Sequence, residues 1–193
     1  MKPKHYITEA HAHHLTFSCY KNMSLFKDPT MYSLFLQSLN RARNRLQFSL
    51  LGFVIMPNHV HLLIFPNTGQ SISSILTAIK QPFSHRALNH MRNKRLNVYN
   101  KLMVKKGTKP IRRFWQTGGG YDRNIYKDET LIKTLEYMHF NPVKNKLVNS
   151  PSEWKWSSAR FYETGEQTPI AIEIPDWWQS IKPGHQADQP TLR

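Results

Sequence analysis

His59-Val60-His61 is the sharpest signal of chemistry in the chain. On a strand, positions two apart face the same way, so both imidazoles project together while Val60 turns to the opposite layer. Two such rings form half of a metal site or a pair of phosphate contacts. Leu62-Leu63-Ile64-Phe65 follows directly. The pair therefore opens an otherwise apolar strand, where imidazoles without partners are costly. Two satisfied structural histidines are the alternative reading. His11-Ala12-His13 repeats the spacing, and a frayed, solvated N-terminal end is the expected account of it.

A third ligand for the pair must come from elsewhere, because positions 29–121 contain no Asp or Glu. A later segment offers one candidate. On a helix starting at Asp128, Leu131, Ile132, Leu135 and Met138 share a core-facing side,. Tyr137 falls roughly 150° from the centre of that side, so packing there does not explain it. Asn141 lies one turn beyond Tyr137 if the helix passes Asn141-Pro142. Glu136 adjoins Tyr137 but points about 100° away around the helix. A plain solvent-facing tyrosine is the alternative.

The elements that must position these residues follow from periodicity. His14 to Tyr20 alternates and reads as a first strand,. Asp28-Pro29 opens a helix to about Arg45, with Asp as cap and Pro in the first turn,. Phe48 to Met56 and His59 to Phe65 read as a hairpin joined at Pro57-Asn58,. Ser71 to about Arg95 is helical, and Pro82 is expected to kink or divide it,. Residues 96–110 read as a Lys-rich connector, and Tyr121 to Tyr126 as a strand after Gly118-Gly119-Gly120. The helix from Asp128 is expected to stop near Phe140, and Glu153 to Glu163 to form a short final helix. This order predicts an α+β sandwich, an antiparallel sheet with helices packed on it. Residues 1–163 form the expected domain and 164–193 an extended arm, loosely ordered beyond Lys182.

Composition narrows the function. The 193 residues carry 27 Lys and Arg against 12 Asp and Glu, a formal net charge of +15. The carboxylate-free stretch favours a polyanionic partner, nucleic acid first. Arg112, Arg113, Phe114, Trp115 and the three glycines combine phosphate-seeking charge, stacking surface and a bare backbone. A core tryptophan beside a plain turn is the alternative there. The cluster from Lys101 to Lys109, with Lys105 and Lys106, adds attraction for DNA. Trp154 and Trp156 are expected to pack on the core. Trp177-Trp178 in the arm are open to docking or DNA contact. Cys19 is the only cysteine, which excludes an internal disulfide and a Cys-rich zinc site,. No apolar run is long enough to span a bilayer, and a cytoplasmic setting is expected.

Gly52-Phe53-Val54-Ile55-Met56-Pro57-Asn58-His59-Val60-His61-Leu62-Leu63-Ile64 resembles the signature of the single-tyrosine HUH transposases. Further segments resemble one branch, the REP-associated tyrosine transposases. They are Phe114-Trp115-Gln116, Gly119-Gly120-Tyr121-Asp122-Arg123-Asn124, Glu136-Tyr137-Met138-His139-Phe140-Asn141-Pro142-Val143 and Trp154-Lys155-Trp156-Ser157-Ser158. The resemblance implies a ferredoxin-like, RRM-like fold. It implies that His59 and His61 bind Mg²⁺ or Mn²⁺, that Asn141 is an amide-type third ligand, and that Tyr137 is the nucleophile. It further implies nicking and rejoining of single-stranded or hairpin DNA through a 5′-phosphotyrosine. DNA contacts would fall on Arg112, Arg113, Trp115, Gly119, Gly120, Tyr121, Arg123, Lys105 and Lys106. A monomer without an obligate protein partner is expected. Dimeric insertion-sequence transposases, a non-catalytic DNA-binding regulator and a metal-dependent hydrolase are the competing readings. One departure is Lys146, where relatives often place glycine.

Overall fold

Alternation along two central strands creates a sheet with two unlike faces. The structure, a computed structural model, describes residues 11–175. Its elements are β1 (Ala12–Ser18), α1 (Pro29–Leu46), β2 (Ser49–Ile55), β3 (His59–Phe65), α2 (Ile72–Asn93), α3 (Val98–Lys101), β4 (Met103–Lys106), β5 (Lys109–Arg112), β6 (Tyr121–Ile125), α4 (Asp128–Lys144) and α5 (Ala159–Thr164). The main sheet runs β2-β3-β1-β6, with every neighbouring pair antiparallel. β1 and β2 are thus parallel, with β3 inserted between them, the split β-α-β arrangement of ferredoxin-like folds. The expected α+β sandwich is the observed one.

Leu15, Phe17, Val60, Leu62 and Ile64 face a large core shared with Phe35 and Leu39 of α1 and Ile75, Ile79 and Phe83 of α2. The opposite face carries a smaller cluster: Ala12, Leu51, Leu63 and Ile125 beneath Leu131, Leu135 and Met138 of α4. Polar residues of β1 and β3 share that second face, beside α4.

Caps explain the helix starts. Asp28 accepts from the Thr30 amide at 2.8 Å with Pro29 in the first turn, and Ser71 caps α2 through the Ser74 amide. α2 runs undivided past Pro82. α4 also outruns its expected end, continuing through Pro142 to Lys144. Near a helix terminus a proline removes a single backbone bond, and the next turn resumes with the Asn145 amide on the Asn141 carbonyl at 3.0 Å,. Lys146 then takes a left-handed conformation, φ 56°. The Leu147 amide bonds the Pro142 carbonyl, and the Lys146 amide that of Val143. This is a Schellman closure, which explains why glycine suits that position.

Three further expectations are corrected. β1 begins at Ala12, so His13 is part of the sheet, paired between Ile64 and Asn124, and not a frayed end. The connector contains α3 and a β4–β5 hairpin, turned at Gly107 with φ 59°. Lysine-rich strands carry no apolar period because neither face is core. Residues 153–163 are not one helix: Ser157 bridges Val54 before α5 begins. The open edge of β2 needs partners. The Ile55 amide bonds the Trp156 carbonyl, the Ser158 amide that of Phe53, and the Glu173 amide that of Leu50. Trp154 and Trp156 pack as expected, the latter stacked on Tyr32 at 4.4 Å. The first part of the arm lies against β2, with Ile170 buried. Trp177, Trp178 and the segment beyond Lys182 lie outside the described residues.

Candidate active site

Register brings the polar residues of three strands into rows. Thr16 of β1 lies opposite His61 on β3 and opposite Tyr121 on β6. One step along, His14 lies opposite Leu63 and Arg123. His59 and His61 extend from β3 on the same side as α4, and their Nε2 atoms are 3.0 Å apart. On the far side of the His61 ring, Nδ1 is 2.9 Å from Thr16 Oγ1 and 3.1 Å from His14 Nε2.

Burial keeps these rings neutral at neutral pH. The His61 pKa is pushed down to about 3 by burial and then by the neighbouring His59 and His14. His14 falls to about 4 through burial and the Arg123 charge, against a smaller opposing pull from Asp122. His59 is lowered by burial. Neutral imidazoles keep one lone pair each for a ligand.

The surroundings decide where the protons sit. The Asn58 amide donates to Asn22 Oδ1 at 2.9 Å, which turns its oxygen toward His59 Nδ1 at 2.7 Å. His59 Nδ1 therefore carries the hydrogen and Nε2 the lone pair. When His61 Nδ1 donates to Thr16, two lone pairs oppose each other across 3.0 Å. That contact is repulsive alone and favourable around a cation. The separation matches two adjacent ligands at about 2.1 Å from one ion, so the pair fits a divalent metal. Among the described residues no group of three or more His, Cys, Asp or Glu is placed to hold one ion. An ion held between the two imidazoles would need further donors from other groups.

Tyr137 stands over this half-site. Its ring is 6.0 Å from that of His61 and 6.3 Å from that of His14, near edge-on to both. It is 56% exposed, so the side chain is accessible to a large substrate. Thr134, Asn141 and Pro142 join the buried side of α4, which puts Tyr137 at the rim of that side and not opposite it. Asn141 is buried, with its Nδ2 donating to the Tyr137 carbonyl at 2.9 Å. That bond leaves the amide oxygen as the ligand-type atom.

The other expected contacts separate into three groups. Tyr121 and Arg123 are exposed on the histidine face of β6, with the Tyr121 ring 6.0 Å from His14. Arg113, Gly119 and Gly120 line a cleft against α2, on the other side of β6. Arg112 and Lys105 belong to the β4–β5 hairpin with Lys106; the Arg112 guanidinium lies 4.0 Å over the Tyr99 ring. Trp115 corrects the expected stacking surface. It is 5% exposed and packed against Phe17, Phe35, Phe83 and Phe114, so its ring belongs to the core.

Sequence reasoning missed His14 and Thr16, although a signal was present. His14-Leu15-Thr16-Phe17 alternates polar with apolar, which puts two polar groups on the face that Leu15 and Phe17 avoid,.

Comparison with known proteins places this arrangement. A Haemophilus influenzae protein, provisionally described as a REP-associated tyrosine transposase, is 27% identical over 114 residues. That match spans 58% of this chain and 58% of the relative, less than two thirds of its length. The fold is similar to a solved REP-associated tyrosine transposase bound to a REP hairpin, with TM-score 0.62 at 19% identity over 91% of this chain and 94% of the other. A Deinococcus radiodurans R1 structure, provisionally described as a transposase, gives 0.46 at 15% identity over 71% and 95%. The profile of the family described as "Transposase IS200 like" matches residues 7–139. Running through the histidine strand, the glycine loop and Tyr137, that match shows that the chain belongs to the IS200-like transposase family.

Proposed function

We propose that this chain is a REP-associated tyrosine transposase that nicks and rejoins hairpin-bearing single-stranded DNA through Tyr137. The observation that carries this reading is the position of Tyr137, 6.0 Å from His61 of its own chain. Nucleophile and metal half-site in one chain also support action as a monomer.

Tyr137 Oη attacks the phosphorus of the scissile phosphate, and the P–O3′ bond breaks. The phenol proton passes to solvent, the departing 3′-oxygen is protonated, and the 5′-phosphate stays on the tyrosine. The phosphodiester energy is kept, so another DNA 3′-hydroxyl can reverse the step and join new ends. A phenol with pKa about 10 is a weak nucleophile, and its contribution here is position. A divalent ion, Mg²⁺ or Mn²⁺, held by His59 and His61 with the Asn141 oxygen, would polarise the phosphate and offset its developing charge. Asn58 and Thr16 hold the two rings in the ligand-ready orientation. Arg123 and Tyr121 offer a cation and a stacking surface beside them.

The test is a cleavage assay on labelled hairpins with single-stranded flanks, resolved on a denaturing protein gel. Wild type with Mg²⁺ or Mn²⁺ should give a slower-migrating DNA–protein species, absent with chelator and absent in Tyr137→Phe. Binding without any adduct would leave a non-catalytic DNA-binding protein. Cutting that survives Tyr137→Phe would indicate a metal-dependent hydrolase.

A further inference from the structure

The cleft between α2 and the glycine loop has a volume of about 760 Å³ and lies on the opposite side of β6 from Tyr137. We propose that it is a second DNA subsite, which holds nucleotides of the single-stranded flank after the strand has passed round the β6 edge. This inference rests on the reading that the substrate is single-stranded DNA.

The topology supplies the route. β6 is the last strand of the sheet, and among the described residues no strand pairs with its outer side. Successive residues of a strand face opposite sides. Tyr121 stands on the histidine face beside His14, whereas Asp122 lines the cleft. A strand crossing this edge therefore has the half-site on one side and the cleft on the other, one residue apart along β6.

The lining suits a nucleotide. Lys80 lies 5.2 Å over the Phe17 ring and 3.3 Å from the Gly118 carbonyl, a cation set on an aromatic floor. Arg113 stands at the loop side, and its Nη1 donates to Thr117 at 2.6 Å. Gln81 and Gln116 bring side-chain amides, which can pair with base edges,. The one carboxylate, Asp122, is engaged by His13 at 2.8 Å.

The glycines separate the mount from the binding surface. A Cβ at Gly120 would lie 2.2 Å from the Thr16 carbonyl oxygen, so that glycine seats the loop on β1 next to the histidines. A Cβ at Gly118 or Gly119 would meet nothing within 4 Å. Packing does not require glycine at 119, and its bare backbone is open to a ligand.

That freedom gives a variant the fold tolerates. In the Tyr137→Phe protein with chelator, the affinities of a blunt hairpin and of the same hairpin carrying a flank of roughly eight nucleotides are compared by fluorescence anisotropy. The flank should strengthen binding about tenfold or more. Gly119→Glu should bring that ratio close to one, and Gln81→Ala should lower it severalfold, both with unchanged melting temperature. Lys105→Gln, an equal change of charge on the distal hairpin, should weaken both probes alike and preserve the ratio. A parent protein without a flank effect, or one that persists in both cleft variants, would overturn the proposal. Failure of the tyrosine chemistry would appear instead as a missing adduct in the cleavage assay, which this binding comparison does not involve.

Discussion

Gly120→Ala should unseat the loop that joins the two faces of β6. Gly120 has φ 87°, and the added methyl carbon would stand 2.2 Å from the Thr16 carbonyl oxygen and 3.0 Å from Phe17 Cβ. Left-handed backbone costs an L-residue about 1–2 kcal/mol. The overlap is with main chain, so no rotamer relieves it, and shifting the loop adds about 1–3 kcal/mol. The total is about 2–5 kcal/mol, which for a chain of this size lowers Tm by roughly 4–20 °C. Gly119→Ala is the control, since its Cβ meets nothing within 4 Å and should change stability by less than about 0.5 kcal/mol,. Thermal unfolding followed by circular dichroism reads both. If the two variants melt together, the argument that Gly120 is fixed by its approach to β1 fails. Because Thr16 touches His61 at 2.9 Å, Gly120→Ala should also weaken Mn²⁺ binding, while Gly119→Ala should not.

Thr16→Val removes the oxygen that orients His61 and should weaken Mn²⁺ binding about tenfold or more by isothermal titration, with Thr16→Ser restoring most of it. Lys146→Gly relieves a left-handed lysine in the closure of α4 and should stabilise the chain by about 1 kcal/mol, read as a rise in Tm,. His139, hydrogen-bonded to Ser158 Oγ at 2.8 Å, has its pKa pushed down to about 4 by burial. The unfolded chain takes up this proton first, so stability is full above pH 6.5 and falls as pH drops toward 4. The slope should be about 1.4 kcal/mol per pH unit from this ring, seen by urea unfolding in chelator and reduced in His139→Gln.

Much of this site was legible because its residues sit on regular elements. The period-two spacing of His59 and His61 fixed their common face before any sheet was known. The helical angle of Tyr137 set it off the apolar stripe of Leu131, Leu135 and Met138, although the buried side proved wide enough to reach its rim. What remained hidden depended on pairing between distant strands. His14 and Thr16 matter because β1 lies next to β3, and nothing local to residues 12–18 declares that neighbour. Trp115 misled for a related reason: beside arginines and glycines it reads as surface, yet Phe17, Phe35 and Phe83 converge on it from three other elements. Pro142 misled through a rule that is strong in helix interiors and weak in a last turn.

The two clusters that flank the sheet are unequal, and this bears on how the molecule opens. β1 and β3 are paired on both sides and carry the larger core on one face. α4 is fastened mainly by Leu131, Leu135 and Met138 over a smaller apolar patch. In native-state hydrogen exchange, amides of α4 should therefore exchange through partial openings that leave β1 and β3 protected. On this expectation the imidazoles are anchored to the slowest-exchanging layer and the tyrosine to a faster one. A DNA end attached to that helix would be tethered to the element that can peel away while the rest of the sheet stays closed.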